Sequence, residues 1–304
     1  MMFAPFLGNI KQADGQCNYP VPLSLLGGVS QLDLLEYLDE LTGLLTGRVG
    51  LFVDFDGTIS HLAPTPDDAV VSPRAANALR GLSGKLALVC AISGRAVSDL
   101  RAKVGIDELV YVGNHGGEKY EDGSLVVAPG MAEYEDRIVG LLSALRRHVD
   151  TPGIFWENKK YSAAVHFRAT DDPASVKSAL AEALSVVDEV DGLQVFWGKM
   201  LLEIRIPNGV HKGDALLELV GEHRLDAAIF LGDDMTDLDA MKTLRDMREH
   251  DSLRGISAVV ADESTPEVLL STADYTLDGV SSVETLLDWL LRASQGDSST
   301  ARTT

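Results

Sequence analysis

Asp54-Phe55-Asp56-Gly57-Thr58 follows the apolar run VGLFV. Two carboxylates one residue apart at a strand exit can face a single cavity, and Gly57 lets the backbone turn sharply behind them. Ser93-Gly94-Arg95 follows a second apolar run, VCAI. A hydroxyl and backbone N–H groups at the start of a helix make a simple anion site. Lys212-Gly213 opens a helical segment after Pro207-Asn208-Gly209. Gly232-Asp233-Asp234-Met235-Thr236-Asp237 follows AIFL. Several acids at a strand end suit a hard cation such as Mg²⁺, which takes one or two carboxylates and keeps waters. Each feature alone has a plainer reading: an Asp-capped turn, a helix cap, a solvated lysine, an acidic N-cap. Together they are less ordinary: an acid pair, a hydroxyl, a lysine and an acid cluster follow in order, each on its own sheet element.

These residues need a frame that brings them to one edge. VGLFVDFDGT, KLALVCAISGR, ELVYVGNHGG, AAIFLGDD and ISAVVAD read as buried strands ending in polar loops. Between them SPRAANALRGLSG, VSDLRAKVG, HKGDALLELVGEH and MTDLDAMKTL read as helices, VETLLDWLLRA as a closing one, and SQLDLLEYLDELTGLL as a helix capped by Ser30. The alternation predicts an α/β fold, a Rossmann-like core with a parallel sheet whose ligands lie at the carboxyl ends of the strands. From Lys119 the pattern becomes helix, hairpin, helix, hairpin, which predicts an inserted α+β layer with an antiparallel sheet. The expected organisation is a discontinuous core at 31–118 and 207–292, an insert at 119–206, and loose ends at 1–30 and 293–304.

The order of the four motifs resembles that of the haloacid-dehalogenase superfamily of phosphohydrolases. The resemblance implies that Asp54 is the nucleophile and Asp56 the general acid and base. It implies that Ser93 and Lys212 hold the phosphoryl oxygens. Asp54, the Asp56 carbonyl and Asp233 would ligate Mg²⁺, with Asp234 and Asp237 beside them or structural. Thr58 is expected to shape the loop by hydrogen-bonding near the acid pair. The insert's position matches the α/β cap of the sugar-phosphatase branch. ISGR, GNHG, WENKKYSAAVHFR, GKMLLEIRIP and GDDMTDLDAM sharpen the likeness, from Val49 to Leu291, to the trehalose-phosphate phosphatase family. That family implies a sugar-phosphate substrate, trehalose 6-phosphate, with Thr58, Gly94, Arg95, Asn114, His115, Glu157, Lys159, Arg168 and Glu203 around it. Phosphatases for sucrose phosphate or glucosylglycerol phosphate, a phosphomutase and a non-catalytic regulatory domain are the alternatives. Trp156 and Trp197 read as packing, with sugar stacking left open, and loop positions account for His61 and His211.

Composition sets limits on this reading. The chain has 304 residues, 45 % hydrophobic and 24 % charged, as a soluble globular protein does. Its 26 basic and 46 acidic side chains leave a net charge of −20, against a nucleic-acid or anionic-membrane binder. An anionic substrate therefore needs local cations. Two cysteines, Cys17 and Cys90, exclude a disulfide scaffold and a Cys-rich zinc site. No stretch approaches a membrane span and the first residues do not read as a signal peptide, so a reducing cytoplasm is the expected setting.

Overall fold

Apolar runs that end in acids or glycine become the strands of one sheet. The structure, a computed structural model, describes residues 32–63, 65–190, 192–198, 200–206 and 210–295. The readings on Ser30, Cys17, Pro207-Asn208-Gly209 and most of the loose ends lie outside these residues.

In chain order the strands are β1 (Val49–Val53), β2 (Leu88–Ile92), β3 (Val110–Gly113), β4 (Glu118–Glu121), β5 (Ser124–Val127), β6 (Phe155–Asn158), β7 (Ala163–His166), β8 (Gln194–Gly198), β9 (Leu201–Arg205), β10 (Ala227–Gly232), β11 (Arg254–Ala261) and β12 (Tyr275–Asp278). The helices are α1 (Leu38–Leu41), α2 (Pro73–Ser83), α3 (Val97–Val104), α4 (Glu135–His148), α5 (Pro173–Val186), α6 (Lys212–Glu222), α7 (Leu238–Glu249), α8 (Glu267–Thr272) and α9 (Gly279–Ala293). An eight-stranded sheet runs β12-β11-β10-β1-β2-β3-β4-β5, parallel from β12 to β3 and antiparallel through β4 and β5. Leu51 and Val53 of β1 pack on one side with α2, α3 and α9, while Phe52 packs on the other with α6 and α7. Both faces are covered, which is why these strands read as continuous apolar runs.

Register brings the polar strand ends together. Val53 lies opposite Leu231, and the Asp54 N–H donates to the Leu231 carbonyl at 2.9 Å. Asp54 therefore leaves β1 beside the acids that leave β10. The Ser93 N–H likewise donates to the Val112 carbonyl at 2.9 Å, which sets Ser93 next to Asn114 and His115.

A second, antiparallel sheet runs β6-β7-β9-β8. Ala163, Val165, Leu202 and Ile204 face α4 and α5 and form a core of their own. Glu203 and Arg205 alternate with Leu202 and Ile204, so they lie on the opposite face.

Three segments depart from expectation. The helix expected after Ser30 is a series of short turns: 3₁₀ at Leu34–Tyr37, α1, then 3₁₀ at Thr42–Leu45. Asp33 caps the first described turn by accepting the Leu35 N–H, and Gly43 weakens the helix further on. The change of pattern at Lys119 is a hairpin of the main sheet, not the start of the insert. Asp122 and Gly123, at φ 48° and 81°, make the two-residue turn between β4 and β5. The elements around the second sheet thus begin after Val127. Finally, α8 and β12 extend the sheet where only the closing helix was expected. Among the described residues no helix is long and apolar enough to cross a membrane.

Candidate active site

The first residue of α6 reaches across to the end of β1. Lys212 is 1 % exposed, and its Nζ donates to Asp54 Oδ1 at 2.6 Å and to Asp237 Oδ1 at 2.7 Å. A capping box fixes the helix start: the Asp214 N–H donates to His211 Nδ1, and the His211 N–H to Asp214 Oδ2. His211 thus has a structural task there. Asp237 is fully buried, and its Oδ2 accepts the N–H groups of Asp233 and Asp234, each at 3.0 Å. Both Asp237 oxygens are therefore occupied by the protein, and it pins the loop that carries Asp233. Asp234 is exposed and holds the turn by accepting from Thr236.

Asp54, Asp233 and Asp237 each offer a carboxylate oxygen within 4.8 Å of the others. Burial pushes the Asp54 carboxyl well above the usual range, and Lys212 only partly opposes it. Burial, then the nearby Asp54 and Asp237, push Asp233 up to about 10. Three acids crowd around one lysine, and the donors are all oxygen. That set fits a hard divalent cation, with Asp54 and Asp233 as the carboxylates still able to turn towards it.

Gly57 makes this closeness sterically possible. Its φ is +75°, and a Cβ there would lie 2.0 Å from Asp233 Oδ2. Gly57→Ala is therefore expected to displace Asp233 and lower kcat by roughly a hundredfold. Steady-state rates across a divalent-cation titration check this, and unchanged kcat with unchanged cation dependence would refute it.

Asp56 has different surroundings. Arg95 grips it with two bonds, Nε to Oδ2 at 2.7 Å and Nη2 to Oδ1 at 2.8 Å. Arg95 is itself buried, bonded to Asp99 at 2.7 Å and to the Pro66 carbonyl at 3.0 Å, and lies over the Phe55 ring. Burial opposes its charge, but Asp56 and Asp99 outweigh that and raise the guanidinium above its ordinary value. One carboxylate thus faces a lysine in the interior, while its neighbour sits in an arginine fork. Thr58 is buried, but its Oγ1 has no hydrogen-bond partner, so the bond expected near the acid pair is not made. Ser93 Oγ accepts the Arg95 N–H at 3.3 Å. A Cβ on Gly94 would lie 2.4 Å from the His115 ring, so Gly94 lets that ring pack on the Ser93 loop.

Two links join this loop to the second sheet. His115 Nε2 lies 2.9 Å from Glu203 Oε1, and Arg205 Nη2 donates to Glu203 Oε2 at 2.5 Å. Burial would raise the Glu203 carboxyl, but His115 and Arg205 hold it well below the usual range. Burial lowers His115. In the other link Ser162 Oγ donates to Asn114 Oδ1 at 2.9 Å, and Asn114 Nδ2 donates to Glu118 Oε2 at 3.0 Å. Glu118 also accepts the first N–H of α3, from Val97, at 2.8 Å. Asn114 and His115 both have left-handed backbone, at φ 49° and 59°, a strain common at functional sites.

A cavity of about 1380 Å³ opens beside these groups, with Asp233, Asp234, His115, Glu203, Arg205 and Phe196 in its wall. His61 also borders it. Glu157 pairs with His166 at 3.0 Å and lies 3.7 Å from Lys159. Burial would raise the Glu157 carboxyl, but His166 and Lys159 lower it. Neither Glu157 nor Lys159 borders the cavity, although both carry charge towards the Arg95 and Glu203 groups. Arg168 does not join the site: β7 ends at His166, and Arg168 is exposed on the turn that follows.

Sequence reading passed over Asp99, Glu118, Ser162, Arg205 and Phe196. Arg205 stands two residues after Glu203 on a strand, so period-two alternation signals a shared face. Glu118 and Ser162 carry no such mark, because their partners come from other elements.

A family model described as trehalose-phosphatase matches residues 52–281. The chain is similar to an uncharacterized glycosyl hydrolase of Mycobacterium tuberculosis, 35 % identical over 232 residues, which cover 70 % of this chain and 17 % of that protein. It thus spans about a sixth of the length of that relative. It is also similar to trehalose-phosphate phosphatase B of Arabidopsis thaliana, 28 % identical over 276 residues, 84 % of this chain and 70 % of that one. The solved C-terminal domain of a Candida albicans trehalose-6-phosphate phosphatase matches with a TM-score of 0.70 at 22 % identity, covering 87 % of this chain and 99 % of that one. At that identity the likeness speaks for the fold.

Proposed function

Since this chain belongs to the trehalose-phosphatase family, we propose that it is a Mg²⁺-dependent phosphatase that hydrolyses trehalose 6-phosphate to trehalose and phosphate. Its fold is that of the haloacid-dehalogenase superfamily. The observation that carries the reading is the Lys212 bridge between Asp54 and Asp237, beside Asp233.

In this scheme an Asp54 oxygen attacks phosphorus and the bond from phosphorus to the sugar oxygen breaks. Asp56 gives its proton to the leaving alkoxide, which is a poor leaving group without one. Asp56 then takes a proton from water as that water attacks the aspartyl phosphate, and phosphate leaves with Asp54 restored. To serve both steps Asp56 exchanges its bonds to Arg95 for bonds to the reacting oxygens. Lys212 and Ser93 hold the equatorial oxygens, where charge accumulates. Mg²⁺, held by Asp54, the Asp56 carbonyl and Asp233, would supply Lewis-acid neutralisation of the phosphate charge. Helices α4 and α5 with β6–β9 serve as the cap. Glu203 binds a sugar hydroxyl after giving up its bond to His115, and Glu157 and Lys159, which lie outside the cavity wall, reach the sugar as the cap closes.

The test is phosphate release with Mg²⁺ from trehalose 6-phosphate, sucrose 6-phosphate, glucosylglycerol phosphate, glucose 6-phosphate and p-nitrophenyl phosphate. Trehalose 6-phosphate is expected to have the highest kcat/KM, and chelation to stop turnover. A faster alternative sugar phosphate would refute the substrate, an isomeric phosphate product would indicate a mutase, and no release would indicate a non-catalytic domain.

A further inference from the structure

The second sheet carries aromatic side chains on both faces, and its register decides which can meet a ligand. Trp156 pairs with Val165 and Trp197 with Leu202, and both partners belong to the core beneath α4 and α5. Both tryptophans lie on the helix side, where Arg146 lies over one ring and Lys177 over the other; Trp197 packs edge-on against Phe167 and also borders the cavity. On the opposite face Glu157, Ala164, Glu203 and Phe196 form one cross-strand row. Phe196 is 44 % exposed and borders the cavity. The Arg205 guanidinium lies 4.9 Å from its ring centre and also donates to Glu203.

We propose that Phe196 is the platform for the sugar ring remote from the phosphate and so selects a disaccharide phosphate over a hexose phosphate. This inference rests on the sugar-phosphatase reading above. A pyranose has a face of C–H groups that packs on an aromatic ring, while the hydroxyls at its edge need polar partners. Phe196 offers the ring face that Arg205 does not cover, and Glu203, its cross-strand neighbour, stands beside it to meet the edge. The cavity exceeds the roughly 300–1,000 Å³ of an ordinary small-molecule pocket, leaving room for a second ring. A half-exposed phenylalanine adds little to stability, so its removal separates recognition from folding.

The experiment compares wild type, Phe196→Ala and Phe196→Tyr on the same substrates. Phe196→Ala is expected to lower kcat/KM for trehalose 6-phosphate about tenfold, mainly through KM, the scale of one lost apolar contact. Glucose 6-phosphate and p-nitrophenyl phosphate, which do not reach the platform, keep their rates, as does the melting temperature. Phe196→Tyr retains the ring and restores the disaccharide. If wild type prefers another disaccharide phosphate and Phe196→Ala slows that one selectively, the platform stands and the trehalose reading fails. Equal losses on all substrates, no loss on any sugar phosphate, or a wild type that prefers a monosaccharide phosphate would overturn the platform.

Discussion

An Asp54→Asn variant is expected to fold as the wild type does and to lose turnover by roughly three orders of magnitude or more, as removal of a covalent nucleophile does. The two parts have separate causes. An amide has the shape of the carboxylate but cannot form the aspartyl phosphate. Stability survives because burial already disfavours the charged form of Asp54, and Lys212 keeps its bond to Asp237. Circular dichroism, thermal melting and phosphate release measure both parts. Acid-quenched labelling from radioactive substrate should leave no label on Asp54→Asn. Asp56→Asn, in which attack proceeds but hydrolysis stalls, should accumulate it. A tenth of wild-type activity in Asp54→Asn would rule out the nucleophile assignment.

Lys212→Met is expected to lose both activity and stability. It strands Asp54 and Asp237 in the interior without their cation, a change that typically costs about 3–5 kcal/mol. The loss depends on pH. Both carboxyls already lie above the ordinary carboxylate range, and losing the lysine raises them further. A group raised in the folded state contributes stability that is complete below its unfolded pKa and lost as pH rises through the folded value. The deficit relative to wild type should therefore be largest at neutral and mildly alkaline pH and shrink towards pH ~5. Urea midpoints across that range measure it. An equal deficit at every pH would mean that Lys212 matters through packing rather than charge.

The chemical groups were legible because each sits at the exit of a buried parallel strand, where apolar run and polar turn are contiguous in sequence. Asp54, Ser93 and Asp233 needed no tertiary information beyond the rule that such exits share an edge. Lys212 was marked only by its helix start, and its bridge to Asp54 is a product of the fold. The second sheet was harder. Alternation sorts its residues into two faces, but which face meets the cavity depends on where α4 and α5 pack. Glu203, expected on the sugar, meets His115 of the core loop, whereas Arg168 lies past the end of its strand. The Asp122-Gly123 turn was a clear hairpin signal in the sequence. It was overlooked because β4 and β5 are only four residues each and adjoin the insert.

Strand β1 lies between β2 and β10, and the last of these is separated from it by the whole second sheet. The backbone N–H of Arg48 reaches the carboxylate of Asp226, 178 residues on. On a ribosome the chain must therefore emerge past β10 before β1 gains its second neighbour, and until then one of its edges stays unpaired. The second sheet has no such wait: its four strands and two helices are contiguous in sequence and share a core. The nascent protein can thus complete its second sheet before the main sheet closes around β1. The pairing of β1 with β10 is of high sequence separation, a kind of contact that generally forms more slowly than a helix. During that interval the exposed edge of an apolar strand is the point most open to aggregation and to chaperones.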